Sequence, residues 1–205
     1  MKNLFNTLSK SSLVAIILLA SMFSINASAA TVTADKGTSS ANIKRVVVTG
    51  NTKVIILQSA DESVQIDELD LDKVSLKQIG STLTINSSEF NPVTVTVYVK
   101  DIYRISASDQ STVKTSGKFD VKNLQVILKD DASASVKATT ESLYTVIDDH
   151  ANLTLIGTSD NHVNKMAASA NIDTDKFAAL KTENLESLAA ITASAVNKKV
   201  APVSK

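Results

Sequence analysis

The chain has no cysteine among its 205 residues. That excludes disulfides, thiol catalysis, thiolate metal sites and lipid attachment through a cysteine. Tryptophan is also absent, and aromatic residues make up only 4% of the chain. Enzymes built on stacked β-coils usually hold sugars against aromatic rings, so this scarcity argues against carbohydrate chemistry. No charge of one sign dominates, since 21 basic residues face 21 acidic ones. Nucleic-acid binding would call for a concentrated basic face, and adhesion to anionic lipid for a run of positive charge. No Gly-x-Ser-x-Gly elbow and no spaced Ser/His/Asp set is present, so nothing marks a nucleophilic hydrolase.

What is present begins with an export signal. Lys2 and Lys10 give a positive start ahead of a short apolar core, Leu13 to Ala20, and Ala27-Ser28-Ala29 supplies a small-residue cleavage site. Residues 1–29 therefore read as a secretory signal peptide, too short and wrongly flanked to span a membrane. No membrane-spanning segment is expected in the mature chain, which would carry 19 basic and 21 acidic residues, a net charge of −2. Its destination is periplasm, outer surface or medium. Residues 30–42 are small and polar and read as a flexible lead-in.

The strongest internal signal is a repeat. Ser111-Thr112-Val113-Lys114-Thr115, Ala132-Ser133-Ala134-Ser135-Val136, Ala151-Asn152-Leu153-Thr154-Leu155 and Ala170-Asn171-Ile172-Asp173-Thr174 start 21, 19 and 19 residues apart. A period near twenty means stacked units, each burying one face on the next. An apolar pair leads each segment: Ile105 and Ala107, Val126 and Leu128, Thr145 and Ile147, Asn164 and Met166. Two short strands per unit, with a corner between, make one coil whose alternate residues point inward and stack on their counterparts.

Upstream, β-branched runs predict strands over 45–49, 54–58, 63–67, 74–78, 82–86 and 93–99. Gly50-Asn51-Thr52 and Ile79-Gly80-Ser81 read as hairpin turns between their neighbours. Downstream, 177–191 suits a helix by composition. The eight-residue spacing from Leu185 to Ala193 instead favours a last coil ending at 193–197, with 198–205 fraying.

These features resemble the putative auto-transporter adhesin head GIN domain family of secreted and cell-envelope proteins. The resemblance covers 43–197. It rests on Val46-Val47-Val48-Thr49-Gly50 with Val54-Ile55-Ile56-Leu57-Gln58, on Gly80-Ser81-Thr82-Leu83-Thr84-Ile85, on Val93-Thr94-Val95-Thr96-Val97 and on the coils. It implies an N-terminal lobe (43–101) and C-terminal coils (102–197). The expected fold is all-β: a right-handed parallel β-helix or solenoid with irregular antiparallel elements toward the N-terminus. One departure is plain. The family's coils usually turn at Gly-Ser-Gly, whereas this chain has Asp109-Gln110, Asp130-Asp131 and Asp149-His150 at its corners. Aspartate tolerates left-handed backbone and hydrogen-bonds nearby amides, so the corners can survive.

Stacked corners would file Asp109, Asp130 and Asp149 about 5 Å apart. Such a column suits a hard cation such as calcium, or serves as corner capping with solvated carboxylates. His150 beside Asp148 and Asp149 reads as a surface corner histidine, and His162, the other histidine, does not align with it. Phe90, Tyr98 and Tyr103 are expected to gather where the two halves meet, as a contact surface or as a plug. No catalytic residue and no cofactor beyond calcium is called. The leading expectation is a non-enzymatic scaffold that binds a surface glycan or envelope protein. The alternatives are a carbohydrate-active enzyme on a β-helix and a periplasmic signalling or assembly module.

Overall fold

The computed structural model describes residues 42–185. The expected signal peptide at 1–29, residues 30–41 of the expected lead-in, the coil expected at 193–197 and the tail expected at 198–205 lie outside the described residues.

The fold is all-β. Twelve strands form one sheet: β1 (Arg45–Gly50), β2 (Thr52–Gln58), β3 (Ser63–Ile66), β4 (Ser75–Ile79), β5 (Thr82–Ser87), β6 (Val93–Val99), β7 (Arg104–Ala107), β8 (Thr112–Ser116), β9 (Asp120–Leu128), β10 (Ser133–Ile147), β11 (Asn152–Met166) and β12 (Asn171–Leu185). The β-branched runs become strands whose successive residues face opposite sides, so that one face can be buried; burial alternates even along the continuous apolar runs of β1 and β2. Val93-Thr94-Val95-Thr96-Val97 follows this rule, with every valine buried.

Pairing is parallel except for β3 on β6 and β4 on β5. One row of neighbours runs β4-β5-β1-β7-β9 and on to β10, and another runs β3-β6-β2-β8 and on to the same strand. The chain thus enters in the second layer, β1 and β2. It then lays β5 and β6 on one side of that layer and β7 and β8 on the other. The antiparallel β3 and β4 cover the two outer edges, which would otherwise offer unpaired backbone.

One expectation is overturned. The runs at 45–49 and 54–58 form no hairpin, because β1 pairs only with β5 and β7, and β2 only with β6 and β8. Gly50-Asn51 makes a corner that sends the two strands onto different rows, and later strands take both edges of each. The turn at Gly80 does join an antiparallel pair, β4 and β5. Residues 177–185, which composition allowed as helix, continue β12 as strand.

Register puts side chains in files. Val95, Val54, Val113, Ala134, Leu153 and Ile172 are successive partners on six strands. Leu83, Val46, Ile105, Val126, Thr145, Asn164 and Asn184 form a second file. Ile85, Val48, Ala107, Leu128, Ile147 and Met166 form a third. The paired positions leading each repeat are therefore true neighbours. A single core joins residues from Ile43 to Leu155. Each fully buried Val, Leu or Ile in it contributes roughly 1.5–3 kcal/mol by leaving water.

Candidate functional site

Four-residue corners at 108–111, 129–132 and 148–151 link the rows, each closed by a backbone bond from its fourth to its first residue: Ser111 to Ser108, Ala132 to Lys129 and Ala151 to Asp148. The second residue of each is left-handed, with φ of 59° at Asp109 and 56° at Asp130 and Asp149. Gly50 occupies the same place one layer earlier, with φ 68°.

The aspartates do more than tolerate this backbone. Gly50 N–H donates to Asp109 Oδ2 at 2.8 Å, Asp109 N–H to Asp130 Oδ2 at 3.2 Å, and Asp130 N–H to Asp149 Oδ2 at 3.1 Å. Each carboxylate thus caps the amide of the layer before it. Three like charges in a file repel, and these charge-assisted bonds offset that repulsion. The next corner, at 167–170, places Ala168 where a carboxylate would stand, and the ladder stops there. Among the described residues, no three His, Cys, Asp or Glu side chains converge in a way that could hold a metal ion.

Beside this ladder lies a groove of about 540 Å³. Gly50, Asn51, Glu89, Asp109, Gln110 and Asp131 line it, with Phe90 at its side. The Phe90 ring is 94% exposed. Its backbone is nevertheless held, because Asn51 Nδ2 donates to the Phe90 carbonyl at 2.7 Å and to that of Glu89 at 3.3 Å.

The three aromatics expected to gather do not. Phe90 sits ahead of β6 at the corner end, while Tyr98 lies near the far end of β6, opposite Leu57 and Ser63. Five residues of extended strand between Val93 and Tyr98 span about 16 Å. Tyr103 precedes β7, where its amide bonds the Lys44 carbonyl, and it is 40% exposed. Neither Phe90 nor Tyr103 plugs the core. An aromatic cluster inferred from nearness in sequence failed because β6 is extended and carries the chain from one end of the sheet to the other.

The histidines part company as well. His150 is exposed at its corner. His162 is buried, 4% exposed, and stacks in register on Leu143. Its Nε2 lies 2.9 Å from Thr145 Oγ1, which donates to Asn164 Oδ1 at 2.8 Å. A hydroxyl has one proton to give, so the neutral His162 carries its own proton on Nε2 and donates to Thr145. Asn164 passes the chain on to Asn184 at 3.3 Å, and Phe177 packs edge-on against His162 with centroids 5.3 Å apart. The inward file thus changes from Leu, Val and Ile to Thr and Asn as it reaches β12. A cavity of about 500 Å³ lies there, lined by His162, Asn164, Met166, Ile172, Phe177 and Asn184. The polar identities of Thr145 and Asn164 at "apolar pair" positions were the signal for this.

Burial pushes the His162 pKa below its usual 6.5. The unfolded chain therefore binds a proton that the folded chain refuses. Stability from this group is complete above about pH 6.5 and is lost as pH falls through that value toward the folded pKa. Thermal midpoints measured from pH 7.5 to 5 should decline in the wild type. In His162→Gln, which keeps a donor for Thr145, the decline should be shallower. Parallel curves for the two proteins would contradict a buried neutral histidine.

Comparison with known proteins fits this geometry. No curated protein matches the chain significantly. Among solved structures, a putative adhesin from Parabacteroides distasonis superposes with TM-score 0.54 at 16% identity, covering 71% of this chain and 74% of that one. A putative adhesin from Parabacteroides merdae gives 0.55 at 11%, covering 71% and 73%. A protein described as a putative lipid binding protein, also from Parabacteroides distasonis, gives 0.52 at 16%, covering 71% and 74%. At these identities the likeness is one of fold. The model of the family described as "putative auto-transporter adhesin, head GIN domain" matches residues 42–201, and the chain belongs to that family.

Proposed function

We propose that the protein is an exported, non-enzymatic binding scaffold, wound as a right-handed parallel β-solenoid, whose corner groove takes a surface glycan. Support for the winding comes from side-chain files that repeat every 19–21 residues across parallel neighbours. Support for export comes from the leader and from family membership. Among the described residues no helix is long and apolar enough to cross a membrane.

The observation that carries the binding reading is Phe90. A ring exposed at 94% on an anchored backbone costs little entropy to present, and it suits stacking on the apolar face of a sugar. Beside it, Asn51, Glu89, Gln110 and Asp131 offer acceptors and amide donors for hydroxyl groups. Against an enzyme stands the commitment of Asp109 and Asp130 to backbone amides.

The test is a glycan array probed with the purified protein, with and without calcium. A subset of glycans should bind, and Phe90→Ala should weaken binding at least tenfold while leaving the thermal midpoint unchanged. Calcium dependence abolished by Asp130→Asn would revive a cation in the aspartate file. Failure to bind any glycan under both conditions would refute the reading.

A further inference from the structure

The chain has only two arginines, Arg45 and Arg104, among its 21 basic residues. They are 59 positions apart, yet the fold makes them register partners on the adjacent strands β1 and β7. Their sequence neighbours Val46 and Ile105 are buried, so the two arginines share the outward face. Neighbouring strands lie about 4.8 Å apart, which places two cationic side chains side by side. Like charges directly opposite one another destabilise a sheet.

Among the described residues no carboxylate forms an ion pair with either arginine. The ion pairs among the described residues all belong to lysines. Asp101, the acid just ahead of Arg104, is taken by Lys44 Nζ at 2.8 Å. Arg104 Nε donates to Gln125 Oε1 at 2.8 Å, which fixes its fork. Arg45 Nε is buried and has no hydrogen-bond partner. Gln125 pairs in register with Arg104 on one side and Tyr144 on the other. Four neighbouring strands therefore present a row of Arg45, Arg104, Gln125 and Tyr144, all half-buried and rich in donors.

We propose that Arg45 and Arg104 form a binding site for an oxyanion: a phosphate, sulfate or carboxylate group. A planar guanidinium fork matches two oxygens of such a group at once, which a lysine cannot do. One anion spanning the two forks would neutralise the repulsion. This site lies on a strand face, away from the corner groove, and stands whether or not that groove binds glycans.

The experiment measures inorganic phosphate binding by calorimetry and by thermal shift at low ionic strength, against sodium chloride of matched ionic strength. Wild type should bind phosphate and show a raised midpoint that chloride does not reproduce. Arg45→Gln and Arg104→Gln should each weaken binding at least tenfold. Arg104→Lys should also weaken it, since charge alone does not make a fork. Lys53→Gln, which removes a cation from a different row, should bind as wild type does. Circular dichroism confirms that each variant is folded. A second arm uses vesicles of phosphatidylglycerol against phosphatidylcholine. Arginine-dependent sedimentation with phosphatidylglycerol would assign the oxyanion to a lipid headgroup, and binding of phosphate alone would assign it to a soluble anion. Absence of phosphate binding, or equal loss in Lys53→Gln and Arg45→Gln, would overturn the site.

Discussion

Gly50→Ala should destabilise the protein by about 2–5 kcal/mol, while Gly80→Ala should cost only about 1 kcal/mol. Both glycines are left-handed, with φ of 68° and 57°. Any L-residue meets a similar backbone penalty at either place. Their surroundings differ. A Cβ built on Gly80 meets nothing within 4 Å, but one built on Gly50 comes to 2.0 Å from the Ser87 carbonyl oxygen. That oxygen accepts the Asn51 amide at 2.9 Å, so it cannot withdraw without breaking a layer-to-layer bond. On its other side Gly50 donates to Asp109. The corner is clamped between two layers, and the difference between the two variants isolates the clamp. For a chain of this size the larger loss would lower the thermal midpoint by roughly 5–15 °C.

The second large effect lies inside the stack. Leu153 is 1% exposed and sits between Ala134 and Ile172. Leu153→Ala should cost about 2–5 kcal/mol, the lost transfer energy plus the cavity left behind. Ala134→Leu alone should cost about 1–3 kcal/mol by overpacking. If the two residues are stacked neighbours, exchanging their sizes restores the volume of the file. The double variant should then be more stable than the sum of the two losses by at least about 1 kcal/mol. Denaturant unfolding of the four proteins gives the cycle. Strict additivity would mean the two side chains do not share a space.

The repeat was legible because it is written in local spacing. Val113, Ala134, Leu153 and Ile172 recur at 19–21 residues, and that interval alone predicts that they meet. The first hundred residues resisted because their layers are not stacked in chain order. Val54 lies between Val95 and Val113, and no fixed interval predicts that. A glycine with an asparagine between two β-branched runs resembles a hairpin for the same reason. The turn chemistry is similar, and only the later strands decide which edges are occupied. The aspartate file was foreseeable from the corners. What each carboxylate accepts was not, since that depends on the backbone amide of another layer. The arginine pair was invisible for a related reason: Arg45 and Arg104 belong to layers joined across an excursion of 59 residues.

Hydrogen bonding sets parallel strands one on the next in the order given above. Because the chain has no cysteine, two spin labels can be placed cleanly at Thr94→Cys and Asn171→Cys, both exposed. Register links them through Lys53, Thr112, Ser133 and Asn152, five strand steps in all. Double electron–electron resonance should give one narrow distance near 24 Å between the backbone sites, or about 4.8 Å per step. A broad distribution, or a separation beyond about 35 Å, would place these strands in some other order than the one the hydrogen bonds require.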